Sequence, residues 1–210
     1  PDYTTPIGGR LLRFLPAWEE ITTDQWVLSI IQQGYCLELI TTPPNIHPRT
    51  QEEIQALLLK GAKELVQPDQ RGKGLYAQYV LISKKDRTLR PILDPRPLNW
   101  YILSDHFHMV TLQDVISLLE QGDFMTSLDL NDTYFHIPIH PAHWCDFRFM
   151  VSGQHYLFKV LPFGMTTVPR VFTNCLAVVA VHLRRGGTHV FPYLDDWLIK
   201  SASEIRKSVV

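Results

Sequence analysis

Cysteine is scarce and scattered in this chain. Cys36, Cys145 and Cys175 are the only three in 210 residues. No two of them form a Cys-x-x-Cys pair, which argues against a disulfide framework and fits a reducing compartment. No apolar run is long enough to span a bilayer, and no secretory pattern follows Pro1. The expectation is an intracellular protein, cytoplasmic or nuclear, without a membrane partner. Internal repeats and low-complexity tracts are also missing, which excludes repeat architectures. An excess of either charge is missing too. Twenty Lys and Arg face twenty-one Asp and Glu, for a net charge of −1. A nucleic-acid partner would therefore have to be met by local charge. An initiating Met is absent, and the chain reads as a fragment of a longer frame or a gene model missing its ends.

Apolar residues are plentiful, at 45% of the chain, enough for a sizeable core in one or two domains. Leu11, Phe14, Leu15 and Trp18 have helical spacing. A second helix is expected from Thr23 or Asp24, with Trp26, Val27, Ile30 and Ile31 on one face and Gly34 as its stop. Tyr35 to Ile40 reads as extended, and Thr41 to Arg49 as a loop. Thr50 with Glu53 makes a capping box for a helix whose stripe is Ile54, Leu57, Leu58 and Leu65, ended by Pro68. Tyr76 to Ser83 and Leu89 to Leu93 read as a hairpin turning at Lys85-Asp86-Arg87. Thr111 caps a helix from Leu112 to Glu120, stopped at Gly122. Strands follow at Phe124 to Leu130, Phe147 to Val151 and Tyr156 to Val160, the last two flanking Ser152-Gly153-Gln154. A helix from Pro169 to Leu183 is closed by Gly186-Gly187. His189 to Leu194 and Trp197 to Lys200 form a final hairpin turning at Asp195-Asp196, in which Pro192 is awkward because it cannot donate a ladder hydrogen bond. Ser201 with Glu204 begins another helix. Helices and strands mix without strict alternation, so the fold class is α+β.

Positive charge gathers at Arg71, Lys73, Lys84, Lys85, Arg87, Arg90 and Arg96; its plainest reading is a solvated loop. The acids are more informative. Ser127-Leu128-Asp129-Leu130 is an apolar strand carrying one Asp, which is costly unless the carboxylate is paired or bound to metal. Tyr193-Leu194-Asp195-Asp196 puts two acids at a hairpin tip, also an ordinary turn choice. Were the three brought together, a divalent cation would relieve their repulsion. Mg²⁺ takes such oxygen ligands, and two ions about 4 Å apart can serve a phosphoryl transfer.

Four segments, in order, resemble the boxes of reverse transcriptases. They are Lys84-Lys85-Asp86 with Arg90-Pro91-Ile92-Leu93-Asp94-Pro95-Arg96-Pro97-Leu98-Asn99; Ser127 to Ile139, which reads SLDLNDTYFHIPI; Leu161-Pro162-Phe163-Gly164-Met165 with Pro169-Arg170-Val171-Phe172; and Phe191-Pro192-Tyr193-Leu194-Asp195-Asp196-Trp197-Leu198-Ile199. The last box, and Gly8-Gly9-Arg10-Leu11 before a Trp-bearing helix, look most like DIRS-type elements, which pair a reverse transcriptase with a tyrosine recombinase.

The resemblance implies a right-hand polymerase built of fingers and an antiparallel palm, with the thumb missing. It implies an N-terminal extension over residues 1–74, fingers over 75–125, and a palm over 126–210 with part of the fingers inserted at about 140–162. The activity implied is RNA-directed DNA synthesis by two-metal nucleotidyl transfer with Mg²⁺ or Mn²⁺. The partners implied are a primer–template and dNTPs, with a thumb and a ribonuclease H region supplied by the full-length polyprotein. Asp129, Asp195 and Asp196 would be the catalytic carboxylates, with the Leu130 carbonyl as a further metal ligand. Lys84 and Arg90 would hold the triphosphate, the one a compact charge and the other a planar fork. Tyr134 would exclude a ribose 2′-hydroxyl, and Phe163 and Gly164 would line the nucleotide. Arg170 and Lys85 would contact nucleic acid, and Asp94 with Arg96 would brace the fingers hairpin.

The chain departs from the family pattern at several places. Thr133 stands where a small Ala is usual, Asn131 where Lys or Arg is frequent, and Val168 for Ala. Trp144-Cys145-Asp146 replaces a more conventional stretch. Two rival readings are a catalytically silent remnant and a metal-dependent nuclease or phosphatase; the second leaves the fingers and Leu-Pro-Phe-Gly boxes unexplained. His136, His140 and His143 lie close in sequence but lack a familiar zinc spacing. Trp18, Trp26 and Trp100 could stack on bases, although packing is the commoner use of tryptophan.

Overall fold

The computed structural model describes residues 6–44, 61–83, 89–151 and 153–201. They fall into two compact units, one of Pro1–Asp105 with Tyr134–Val168, the other of His106–Thr133 with Pro169–Val210.

In the first unit a 3-10 turn, Arg10–Phe14, runs into α1 (Leu15–Ile21), and α2 (Gln25–Gln33) follows. The Asp24 carboxylate caps α2 by accepting from the Trp26 and Val27 N–H groups at 2.9 and 3.2 Å. Val27, Ile30 and Ile31 are buried, but Trp26 is 37% exposed and sits at the rim of that stripe rather than in it. Gly34 ends the helix at φ 92°. A Cβ there would stand 2.5 Å from the His140 nitrogen, so glycine serves both the turn and the close approach. Beyond it Tyr35 bridges Ile139 in parallel, and Leu39 bridges Ile102.

The expected helix ending at Pro68 does not reach that far. Thr50, Glu53, Ile54, Leu57 and Leu58 lie outside the described residues. Gly61 takes φ 64°, and Lys63–Leu65 forms β1, with Leu65 half-exposed. β1 pairs with β6 (Gln154–Phe158), which pairs with β5 (Arg148–Val151). A sheet partner thus overrides helical spacing in a segment whose start is broken by a left-handed glycine. The fingers-box hairpin is β2 (Gln78–Ser83) on β3 (Leu89–Asp94), in register from Gln78↔Asp94 to Ser83↔Leu89. A short helix, α3 (Arg96–Asn99), follows it. The core of this unit includes Leu75, Ile137, Ile139, Phe147, Phe149 and Leu161. Each such side chain contributes about 1.5–3 kcal/mol relative to exposure. Phe149 stacks between Tyr79 and Tyr156, at 4.9 and 5.5 Å between centroids.

The second unit is an antiparallel sheet in the order β4 (Phe124–Asp129), β8 (Asp196–Ser201), β7 (His189–Tyr193). α5 (Val168–Arg185) supplies Leu176, Val179, Ala180 and Leu183 to a core with Leu130, Val190, Trp197 and Ile199. Arg184 at the helix's end donates to the Val190 carbonyl at 2.7 Å. Pro192 is accommodated because β7 is an edge strand with β8 as its sheet neighbour. Thr111 caps as expected and, beyond that expectation, closes a capping box with Asp114, but the helix it opens, α4 (Leu112–Ile116), stops short of Glu120. The Leu118 carbonyl, which a continuing helix would use, accepts from the Lys200 ammonium at 2.8 Å instead. The expected helix from Ser201 is outside the described residues beyond Ser201, which belongs to β8.

Candidate active site

The two acidic segments meet in one sheet. β4 pairs with β8 so that Asp129 and Asp196 are Cα partners, and the Leu130 N–H donates to the Asp195 carbonyl at 2.9 Å. Residues directly opposite in an antiparallel pair project to the same side. The hairpin turn, however, is Leu194-Asp195 and not Asp195-Asp196. Leu194 takes φ 51°, and Tyr193↔Asp196 is the closing pair. One positive φ in a two-residue loop is the signature of a primed turn, whose twist suits the flanking strands. This one-residue shift moves Asp196 into the strand, opposite Asp129. Asp129 and Asp196 are exposed and Asp195 is half-buried, so all three are reachable from solvent.

Among the described residues no three His, Cys, Asp or Glu side chains close into a ready metal cage. A Mg²⁺ site for a phosphorylated substrate needs none, since one or two carboxylates plus phosphate oxygens suffice. The all-oxygen donor set of Asp129, Asp195 and Asp196 fits such an ion. The histidine cluster goes elsewhere. His140 accepts from the Ala142 N–H at 3.3 Å, and His143 lies 3.4 Å from Asp146. Burial pushes the Asp146 carboxyl upward against the opposing pull of His143.

The remaining expected residues belong to the first unit or to α5. Lys84 and Lys85 lie outside the described residues. Arg90 takes its place in β3 opposite Ile82. Asp94 holds Arg96 through both carboxylate oxygens, at 2.6 Å to Nη2 and 2.8 Å to Nε, and that bond draws the Asp94 carboxyl below the usual range. Tyr134 packs its ring 4.9 Å from Phe163, and Phe135 meets Phe163 edge-on at 5.5 Å. Gly164 has φ 90°, with the Pro95 ring 3.2 Å from where a Cβ would be. Arg170 is half-buried on the first turn of α5. Of Trp18, Trp26 and Trp100, the first is buried and the last is 84% exposed.

Two residues were given no role by the sequence reading. Asn99 donates to the Gly164 carbonyl and accepts from the Thr166 N–H, both at 3.0 Å, tying the fingers box to the Leu-Pro-Phe-Gly loop. Its membership of the motif was the available signal. Thr133 donates its hydroxyl to the Leu130 carbonyl at 2.8 Å, and its signal was a Thr where Ala is usual.

The chain is α+β, and its second unit is an antiparallel sheet that ends in paired acids. The fold is shared with the Prototype Foamy Virus Protease-Reverse Transcriptase. The CSH mutant matches with a TM-score of 0.59 at 22% identity, over 78% of this chain and 22% of that one. The native form matches with a TM-score of 0.57 over 77% of this chain. The chain belongs to the family described as reverse transcriptase (RNA-dependent DNA polymerase), which matches residues 82–208. Among its relatives are the Transposon Tf2-3 and Tf2-7 polyproteins of Schizosaccharomyces pombe, 26% and 25% identical over 125 residues. That alignment covers 60% of this chain and 9% of each polyprotein. No helix among the described residues is long and apolar enough to cross a membrane.

Proposed function

We propose that this chain carries the polymerase chemistry of a retrotransposon, extending a primer 3′ end with dNTPs on an RNA or DNA template, and that the element is of DIRS type. The observation that carries the reading is the Asp129↔Asp196 pairing, with Asp195 hydrogen-bonded through its backbone to Leu130. Asp129 and Asp195 are the principal ligands for Mg²⁺ or Mn²⁺, the Leu130 carbonyl assists, and Asp196 is an outer one. Bound there, two divalent ions supply the Lewis acidity that activates a 3′-hydroxyl and stabilises a leaving pyrophosphate. Lys84 and Arg90 hold the triphosphate. Tyr134, its ring buttressed by Phe163, rejects a 2′-hydroxyl. Phe163 and Gly164 line the nucleotide, and Arg170 and Lys85 touch nucleic acid. Residues 75–125 act as fingers and 126–210 as palm, with 1–74 as an N-terminal extension. A thumb and a ribonuclease H region come from the rest of a polyprotein working in the cytoplasm or nucleus.

The test is primer extension on poly(rA)–oligo(dT) with Mg²⁺ or Mn²⁺, with Asp195→Asn as control. Extension by the wild type and none by the variant is expected, since the variant loses a charged ligand. Extension that survives the substitution removes the assigned site. Silence from both proteins favours a remnant that at most binds nucleic acid.

A further inference from the structure

The peptide group leaving Leu130 is where the acidic hairpin and a departure from the family pattern meet. Leu130 is held on both sides, its N–H donating to the Asp195 carbonyl and its own carbonyl accepting from the Thr133 hydroxyl. Thr133 is 3% exposed, so its proton has little access to water and the carbonyl satisfies it. The return of residue 133 onto residue 130 goes with a left-handed backbone at Asp132, φ 53°. A carbonyl oxygen has two lone pairs. The hydroxyl engages one of them and sets a partly positive hydrogen against the same oxygen that a cation would approach.

We infer that Thr133 is a positioning residue that directs the Leu130 carbonyl and weakens it as a cation ligand, lowering the affinity of the acidic site for Mg²⁺ and Mn²⁺. This rests on the polymerase reading above, in which that carbonyl joins Asp129 and Asp195 around an ion. Hard cations bind oxygen through its charge and accessibility, so a lone pair already committed to a proton lowers what the site can offer. A hydroxyl that merely closes the turn into the 3-10 segment Thr133–His136 would leave cation affinity untouched.

Three variants separate these roles. Thr133→Ser keeps the donor, Thr133→Val keeps the shape without it, and Thr133→Ala removes both. Mn²⁺ binding to the chain alone is followed by electron paramagnetic resonance, without nucleotide or nucleic acid, alongside the Mg²⁺ dependence of primer extension and the thermal midpoint. The Ser variant should match the wild type. The Val and Ala variants should bind Mn²⁺ several-fold more tightly and reach half-maximal extension at correspondingly lower Mg²⁺. If Val does not fold, Ala decides. Wild-type affinity or weaker binding in the folded variants, whatever their midpoint, overturns the proposal and leaves the polymerase reading standing. Wild-type protein showing no Mn²⁺ binding that Asp129→Asn abolishes also overturns the proposal, while the polymerase reading is decided separately by the Asp195→Asn primer-extension test.

Discussion

Lys63 is the least expected residue of the first unit, 4% exposed in the middle of a charged stretch of sequence. Its ammonium lies over the rings of Tyr156, Phe149 and Tyr79, at 4.7, 5.4 and 5.8 Å from their centroids. Burial pushes its amine down from 10.5 to about 7, while the ring faces favour the charged form. The unfolded chain therefore holds more protons than the folded one between those two values. The destabilisation is complete below about pH 7 and fades as pH rises toward 10.5. Thermal midpoints should climb from pH 7 to pH 9.5 in the wild type and stay flatter in Lys63→Met; parallel profiles would show that Lys63 is not the titrating group. Tyr79, raised by burial, stays protonated across that window. Tyr134 offers a second test at this scale. If its ring excludes ribose, Tyr134→Ala should raise incorporation of ribonucleotides relative to deoxyribonucleotides by about tenfold or more, as loss of a steric wall does. An unchanged ratio in single-nucleotide extension would return Tyr134 to an ordinary packing role.

Among the elements, β8 does the most positioning. One end carries Asp196 opposite Asp129; near the other, Lys200 donates to the Asp123 carboxylate at 2.9 Å and to the Leu118 carbonyl. The Asp123 carboxyl is held below the usual range, first by the Glu120 N–H and then by Lys200. A depressed carboxyl stabilises the fold above its ordinary range and loses that contribution as acid protonates it. Lys200→Met should lower the thermal midpoint at neutral pH and lessen its fall on acidification. Equal midpoints at neutral pH would show that the bond does not hold the strand. The hairpin also shows how far pattern alone reaches. Its two strands and its acids were legible as an apolar run broken by two Asp, but the turn register was not. A two-residue loop can close on either neighbouring pair, and the choice rests on which residue takes the positive φ, here Leu194, an unfavourable residue for it. The expected extension of a helix through Leu65 to Pro68 failed for a related reason. Leu65 fits a helical stripe and a strand equally, and only a partner strand decides.

For the whole molecule, a net charge of −1 limits how a polyanion can be bound. Seven basic residues gather between Arg71 and Arg96, and Arg96 is engaged with Asp94. If the other six supply the phosphate contacts, the dependence of log affinity on log salt should be no steeper than about −5. Anisotropy titrations of a labelled primer–template between low and moderate salt would measure it, and a steeper slope would place the contacts elsewhere.

Sequence by itself determined the class and the chemistry on offer. Short strands, capped helices, a Gly-rich closing of α5 and four ordered motifs name a fold whose elements form from local spacing and capping. It also singled out the acids, one in an apolar strand and two at a hairpin tip, although Asp129 proves exposed and burial does not demand a partner for it. Tertiary structure decided which atoms meet: Asp196 facing Asp129, Asn99 locking the Gly164 loop, and Lys63 lying over three rings. Those pairings depend on strand register and on burial from residues distant along the chain, and neither is encoded in a local pattern.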